Sequence, residues 1–214
     1  MEESEDAKIT KKKIEKLGRR VILIQGDGGE QEFCHEVVKK TIDTFGKIDI
    51  LVNNAGEQHP QDSILEISEE KLKGTFSTNF FGMFFMVQEA LLHLKENASI
   101  INTSSVTAYE GNKTLIDYAS TKGAITAFTR SLAQSLGEKK IRVNQIAPGP
   151  IWTPLIPSTF EPGHVENFGE NTLLSRAGKP IELVESYILF AWTRGNSFIT
   201  GQTIHINGGQ FLCS

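Results

Sequence analysis

The chain is short of cysteine, of clustered basic residues and of long apolar runs, and each shortage removes a class of protein. Only Cys34 and Cys213 occur in 214 residues. Two thiols so far apart in sequence make no disulfide framework, and a reducing compartment, the cytoplasm, is the expectation. The five histidines are scattered, with no pair four residues apart and no cysteine pair nearby, so no metal site is expected. Net charge is −4, and the one basic run, Lys11-Lys12-Lys13, sits in an acidic opening segment where it reads as a solvated helix face. Nothing here suggests a nucleic-acid surface. The most apolar stretch, Phe80 to Val87, is far shorter than the ~20 residues that cross a bilayer, so no membrane partner is expected. The opening Met1-Glu2-Glu3-Ser4-Glu5-Asp6 lacks the basic-then-apolar order of a signal peptide.

What is present is an alternation of strand-like and helix-like segments. With 39% hydrophobic and 22% charged residues, the composition suits one packed domain over the whole length. Residues 4–17 read as a charged helix closed by Gly18, and Val21-Ile22-Leu23-Ile24 as a buried strand. Residues 30–45 carry Phe33, Val37, Val38, Ile42 and Phe45 on one helical face. Strand 48–52 ends in Asn53-Asn54-Ala55-Gly56, and a long helix is expected over about 68–94. Then follow strand 99–103, a helix over about 115–136, strand 141–146, a helix over about 180–193 and strand 203–206. Residues 147–165 hold five of the seven prolines and are expected to be loop. Strands apolar on both faces, alternating with helices, predict an α/β protein with a doubly wound, Rossmann-like parallel sheet. Such sheets bind ligands beyond the carboxyl ends of their strands, which directs attention to residues 53–60, 103–114 and 147–160.

Tyr118 and Lys122 lie in the expected helix 115–136, four residues apart and therefore on one face. A second Tyr-x-x-x-Lys match, Tyr109 with Lys113, spans Gly111 and Asn112 in a loop, where no helix aligns the two. The first pairing has a chemical purpose. A free phenol has a pKa near 10, and lowering it by about three pH units takes roughly 4 kcal/mol. One ammonium at ~4 Å supplies about that much at an effective dielectric of ~20. Lys122 is thus expected to depress the Tyr118 phenol. Ser105, at the end of strand 99–103, is placed to hold a substrate oxygen beside it.

The order Asn53-Asn54-Ala55-Gly56, Asn79, Ser105, Tyr118-Ala119-Ser120-Thr121-Lys122, Pro148-Gly149-Pro150-Ile151-x-Thr153, Gly201-Gln202 and Asn207-Gly208-Gly209 resembles the short-chain dehydrogenase/reductase family over essentially the whole chain. Asn53–Gln61 and Ala147–Pro154 look most like its glucose/ribitol dehydrogenase and general-stress branch. The resemblance implies an oxidoreductase using NAD or NADP to interconvert a secondary alcohol, or a sugar or polyol hydroxyl, and a carbonyl. It makes Tyr118 the general acid/base and has Lys122 lower its pKa and bind the nicotinamide ribose. Ser105 polarises the carbonyl, and Asn79 holds a water in a proton relay. Asn54, Ala55 and Gly56 line the adenosine side, Asp27 approaches the adenine, and Ile151 and Thr153 meet the carboxamide. Partners implied are a small alcohol or carbonyl compound and further copies of the chain, as a dimer or tetramer.

Simpler readings stand beside these. Asp27 in Gly26-Asp27-Gly28-Gly29 is equally a turn residue or helix cap. Ser104 reads as structural, and Glu57, Gln58, His59 and Trp152 as solvated loop. Phe80, Phe81, Phe84 and Phe85 are expected to divide between core and subunit contact. The family's opening strand, glycine-rich turn and helix, which cradle the pyrophosphate, are not seen in these residues, so the expected sheet lacks its strands 1 and 2. Segment 21–25 would then lie about 14 Å from strand 48–52, and must either slide in to pair with it or detach. Weak dinucleotide binding follows, and a catalytically silent remnant or interaction subunit is the alternative to an enzyme.

Overall fold

In a computed structural model of the protein, residues 5–160 and 162–212 are described. Four parallel strands form one sheet in the order β1 (Ile50–Asn53), β2 (Ser99–Thr103), β3 (Arg142–Pro148), β4 (Thr203–Ile206). Its register sets Ile50 against Ser99, Ile101 against Asn144 and Ile146 against Ile204. Neighbouring residues of a strand face opposite sides, and in β2 both sides are apolar. Ile100 packs with Val143 against Val38, Val87, Ala90, Ala133 and Leu136. These come from helices α2 (Gln31–Phe45), α4 (Gly82–Ala90) and α6 (Ile116–Leu136). Ile101 and Ile146 pack on the other side against Phe190 of α9 (Val184–Ala191). All four strand residues are fully buried, each stabilising the fold by about 1.5–3 kcal/mol. Helix α1 (Glu5–Lys16) buries no residue.

Three expected elements take other forms. Val21–Ile24 joins no ladder and is half-buried, so this segment detaches instead of pairing. A strand needs a partner for its backbone groups, and here the chain is held from its start instead, Arg20 donating to the Thr44 carbonyl and stacking over Phe45. β1 is consequently an edge strand, with Ile50 and Val52 exposed.

The long helix expected over 68–94 is interrupted. α3 (Glu69–Phe76) passes through a wide π turn, Ser77–Phe81, into α4. The turn is shaped by close backbone approach: a Cβ on Gly82 would strike the Gly28 carbonyl, and one on Gly29 would strike the Ser77 hydroxyl. Cys34 Sγ adds a contact to the Gly28 carbonyl at 3.3 Å.

Residues 147–165 are not all loop. β3 continues to Pro148, and the short helices α7 (Leu155–Thr159) and α8 (Pro162–Glu166) follow. The prolines are tolerated there because first-turn N–H groups have no helical partner to lose.

Candidate active site

The carboxyl ends of β1, β2 and β3 open on one cleft of about 1030 Å³. Asn54, Ala55 and Gly56 reach it after β1, Ser105 after β2, Ile151 and Thr153 after β3, and Tyr118 and Lys122 from α6. Eight positions singled out from sequence thus share one wall. α6 begins just before Tyr118, and its 21 residues run back along β3, so the tyrosine stands at the strand ends.

Lys122 is 3% exposed. Its Nζ donates to the Thr103 carbonyl at 3.0 Å and lies 5.4 Å from the centre of the Tyr118 ring. Burial lowers its pKa to about 8. Burial also pushes the Tyr118 phenol above its ordinary value, and a hydrogen bond with Ser105 pulls partly the other way. The expected depression of Tyr118 by Lys122 is therefore reversed in this structure. Desolvation of the phenolate is the largest cause, and the Lys122 ammonium is engaged with the Thr103 carbonyl. The phenol stands neutral and joined to Ser105, the form that can give up a proton.

Ser104 and Ser105 separate cleanly. Ser104 Oγ is buried and donates to the Lys122 carbonyl at 3.0 Å, fastening β2 to α6. Ser105 Oγ accepts from the Thr107 N–H at 3.2 Å and meets Tyr118 on the cleft wall. The other tyrosine–lysine match is not a pair. Tyr109 OH accepts from Gln145 Nε2 at 2.7 Å and its ring packs on His205 and Phe211.

Asn79 is fully buried and lies outside the cleft lining. Its side chain grips both backbone groups of Glu57, accepting from N–H at 2.8 Å and donating to the carbonyl at 2.9 Å. It also donates to Thr121 Oγ1 at 3.1 Å. Its amide thus clamps the loop after β1 to α6 at Thr121. Asp27 stands apart, exposed and outside the lining, with Oδ1 accepting from the Gly29 N–H at 2.8 Å. The turn reading describes its place.

Two further residues brace the site without a sequence signal of their own. Gln58 is 6% exposed and donates to Thr159 Oγ1 at 3.0 Å, joining the loop after β1 to α7 across the cleft. Asp117 is 3% exposed and bonds to Thr75 and to the Tyr118 N–H. A lone amide in a loop and an acid in a first helical turn carry no sequence signal that separates them from solvated residues. Trp152 is partly exposed and stacks on Phe168, outside the lining. Among the described residues no group of three His, Cys, Asp or Glu is arranged to hold a metal ion. Nor is any of their helices long and apolar enough to cross a membrane.

Residues 1–210 match the family model described as enoyl-(acyl carrier protein) reductase. The chain is 54% identical to general stress protein 39 of Bacillus subtilis over 211 residues, 99% of this chain and 73% of that protein. It is 48% identical to the chloroplastic NADPH-dependent aldehyde reductase 1 of Arabidopsis thaliana over 215 residues, 99% of this chain and 75% of that one. A solved short-chain dehydrogenase from Burkholderia cenocepacia in complex with NADP superposes with a TM-score of 0.90 at 28% identity, covering 97% of this chain and 83% of that one. A parallel sheet, a serine at one strand end facing a Tyr-x-x-x-Lys helix, and these similarities in sequence and structure agree: the chain belongs to the short-chain dehydrogenase/reductase family, a family of NAD(P)-dependent oxidoreductases.

Proposed function

We propose that the protein interconverts a secondary alcohol, or a sugar or polyol hydroxyl, and the corresponding carbonyl, with Tyr118 as general acid/base and NAD or NADP as hydride carrier. The observation that carries this reading is the contact of the Tyr118 phenol with Ser105 beside the buried Lys122, on the wall of one cleft.

In the reducing direction Ser105 and Tyr118 both donate to the substrate oxygen. As negative charge grows there, Tyr118 releases its proton to it, a step worth about 10²–10⁴ in rate. The phenolate left behind is stabilised by the Lys122 ammonium beside its ring and by Ser105. In the oxidising direction the same groups take the proton away. The amide- and acid-bearing wall formed by Gln58, Asn112, Asn167, Glu170, Asn171 and Gln210 suits a substrate with several hydroxyls.

When bound, the nicotinamide supplies or takes up the hydride. Gly56 suits a place beside the cofactor: it lines the cleft, and a Cβ there would make ordinary contact with Lys122 Nζ at 3.5 Å and Asn79 Oδ1 at 3.4 Å. Lys122 and Tyr118 would hold the ribose, Asn54, Ala55 and Gly56 the wall beside it, and Ile151 and Thr153 the carboxamide. The Gly29 N–H is taken by Asp27 Oδ1 and the Gly28 carbonyl lies against Gly82, so this turn is not arranged as a phosphate cradle. A silent interaction subunit is the less favoured reading, since Ser105, Tyr118 and Lys122 meet on one cleft. Exposed Phe81 and Phe84 support a homo-oligomer.

The test is turnover of a panel of aldehydes, ketoses and polyols with NADPH, NADH or their oxidised forms, followed by nicotinamide absorbance. Tyr118→Phe should lower kcat by about 10²–10⁴ while the cofactor KM stays within a few-fold. Undiminished turnover in that variant would remove Tyr118 from the mechanism.

A further inference from the structure

α6 begins without a conventional cap. Leu115 occupies the capping position and offers no side-chain acceptor, although the first N–H groups of a helix have no partner within it. The Tyr118 N–H is one of these. It is taken by Asp117 Oδ1 at 2.8 Å, the side chain of its own neighbour. The second carboxylate oxygen meets Thr75 Oγ1 at 2.7 Å. Thr75 is fully buried in the last turns of α3, and Asp117 is 3% exposed.

A carboxylate so buried is unfavourable unless donors hold it, and this one has two, besides the favourable field of a helix N-terminus. One turn later Asn79 Nδ2, in the π turn that continues α3, donates to Thr121 Oγ1 at 3.1 Å. The α3–π-turn unit therefore grips α6 at residues 117 and 121, each immediately before a site residue, Tyr118 and Lys122. The grip at 121 also reaches the backbone of Glu57. The grip at 117 ends on the backbone of the tyrosine itself.

We propose that Asp117 is the positioning residue for Tyr118, anchoring the tyrosine's backbone to α3 through Thr75 so that the phenol meets Ser105 and the substrate oxygen. The proposal rests on Tyr118 being the proton-transferring group. Misplacement of such a group by about 1 Å costs roughly a hundredfold in rate. The anchor needs an acceptor at one end and a hydrogen bond at the other, not a charge. Asp117→Asn can satisfy both. Its Oδ1 accepts from the Tyr118 N–H and its amide donates to Thr75 Oγ1, whose own proton turns to the Lys71 carbonyl 3.0 Å away.

The experiment compares the full chain carrying tyrosine labelled with carbon-13 at Cζ as wild type, Asp117→Ala, Asp117→Asn and Thr75→Val. Three tyrosines give three signals, and Tyr118→Phe assigns the one that matters. In Asp117→Ala the Tyr118 signal should move or broaden while those of Tyr109 and Tyr187 stay in place, and in Asp117→Asn all three should stay. In turnover, Asp117→Ala should lower kcat by roughly ten- to a hundredfold with the cofactor KM little changed, and Asp117→Asn should restore it. If Asp117→Ala does not fold, Thr75→Val removes one end of the anchor and carries the same expectation for the Tyr118 signal. An unmoved Tyr118 signal in both Asp117→Ala and Thr75→Val overturns the proposal, as does an Asp117→Asn protein that behaves like Asp117→Ala. If Tyr118→Phe keeps its turnover, the functional reading fails, while the signals still decide whether Asp117 sets the place of the ring.

Discussion

Lys122 is held in the fold at a cost to stability. Its ammonium is buried with one carbonyl as partner, and its pKa falls from 10.5 to about 8. In the unfolded chain the ordinary value applies, so between about pH 8 and 10.5 the unfolded state binds more protons than the native one. Stability contributed by this group therefore rises with pH through that window, and is lowest below pH 8, where the charge must be buried at a cost of about 3 kcal/mol. Tyr118 acts in the opposite direction higher up. Its raised pKa leaves stability untouched below about pH 10 and lowers it above. Urea unfolding should thus show wild type gaining stability from pH 7 to 9.5. Lys122→Met should be more stable than wild type at pH 7, by about 1–3 kcal/mol, and should lose that rise; a wild-type curve flat over this range would contradict the burial of a charged amine. The two serines give a second prediction at this scale. Ser105→Ala should cut kcat by about 10², besides losing about 1 kcal/mol of stability with the bond from the Thr107 N–H, whereas Ser104→Ala should leave kcat within a few-fold. Ser104→Ala should lower stability by about 1 kcal/mol through loss of its bond to the Lys122 carbonyl. Steady-state rates of the pair separate the roles, and thermal melts read both losses of stability.

Among the elements, strands 99–103 and 203–206 and helices α2 and α6 were legible because local pattern and tertiary surroundings ask for the same thing: Ile100 and Ile101 are apolar because both sheet faces are covered. Ser105, Tyr118 and Lys122 were legible for a related reason, since strand end and helix spacing fix their positions. What stayed hidden depends on contacts distant in sequence. Val21–Ile24 has the residues of a strand and no partner edge. The break in the long helix comes from Gly82 meeting Gly28, which no window around residue 82 reveals. The side chain of Asn79, a residue expected to hold a water, binds the Glu57 backbone 22 residues away, a contact that no local window shows. Two glycine substitutions test this account with opposite signs. Gly82→Ala would drive a methyl into the Gly28 carbonyl and should destabilise by about 1–3 kcal/mol, loosening the π turn that carries Asn79. Gly123→Ala, inside α6 where a Cβ meets nothing within 4 Å, should stabilise by about 0.5–1 kcal/mol. Thermal denaturation reads both, and a neutral Gly82→Ala would mean the backbones can part without loss.

At the scale of the whole molecule, two of the exposed apolar groups among the described residues would associate differently. One is the helical face around the π turn. Phe81 is 43% and Phe84 38% exposed, and Phe84 stacks with Phe128 of α6 at 5.4 Å between ring centres. Phe80 and Phe85 beside them are half-buried. The other is the outer edge of β1, where Ile50 and Val52 are 43% and 45% exposed beside unpaired backbone groups. Helix faces bury side chains against side chains and give closed, symmetric assemblies. A free strand edge pairs with any other edge and gives open-ended association. A homo-oligomer built on the helical face should therefore sediment as one species, dimer or tetramer, over a wide range of concentration. A single carboxylate at Phe84→Asp, buried without a partner in such an interface, should shift it to monomer. Val52→Lys, which places a charge on the strand edge, should leave that species intact and only reduce precipitation on standing. Sedimentation velocity of the two variants decides between the surfaces. If Val52→Lys dissolves the assembly and Phe84→Asp does not, association runs through the sheet edge, and the exposed phenylalanines are not where copies of the chain meet.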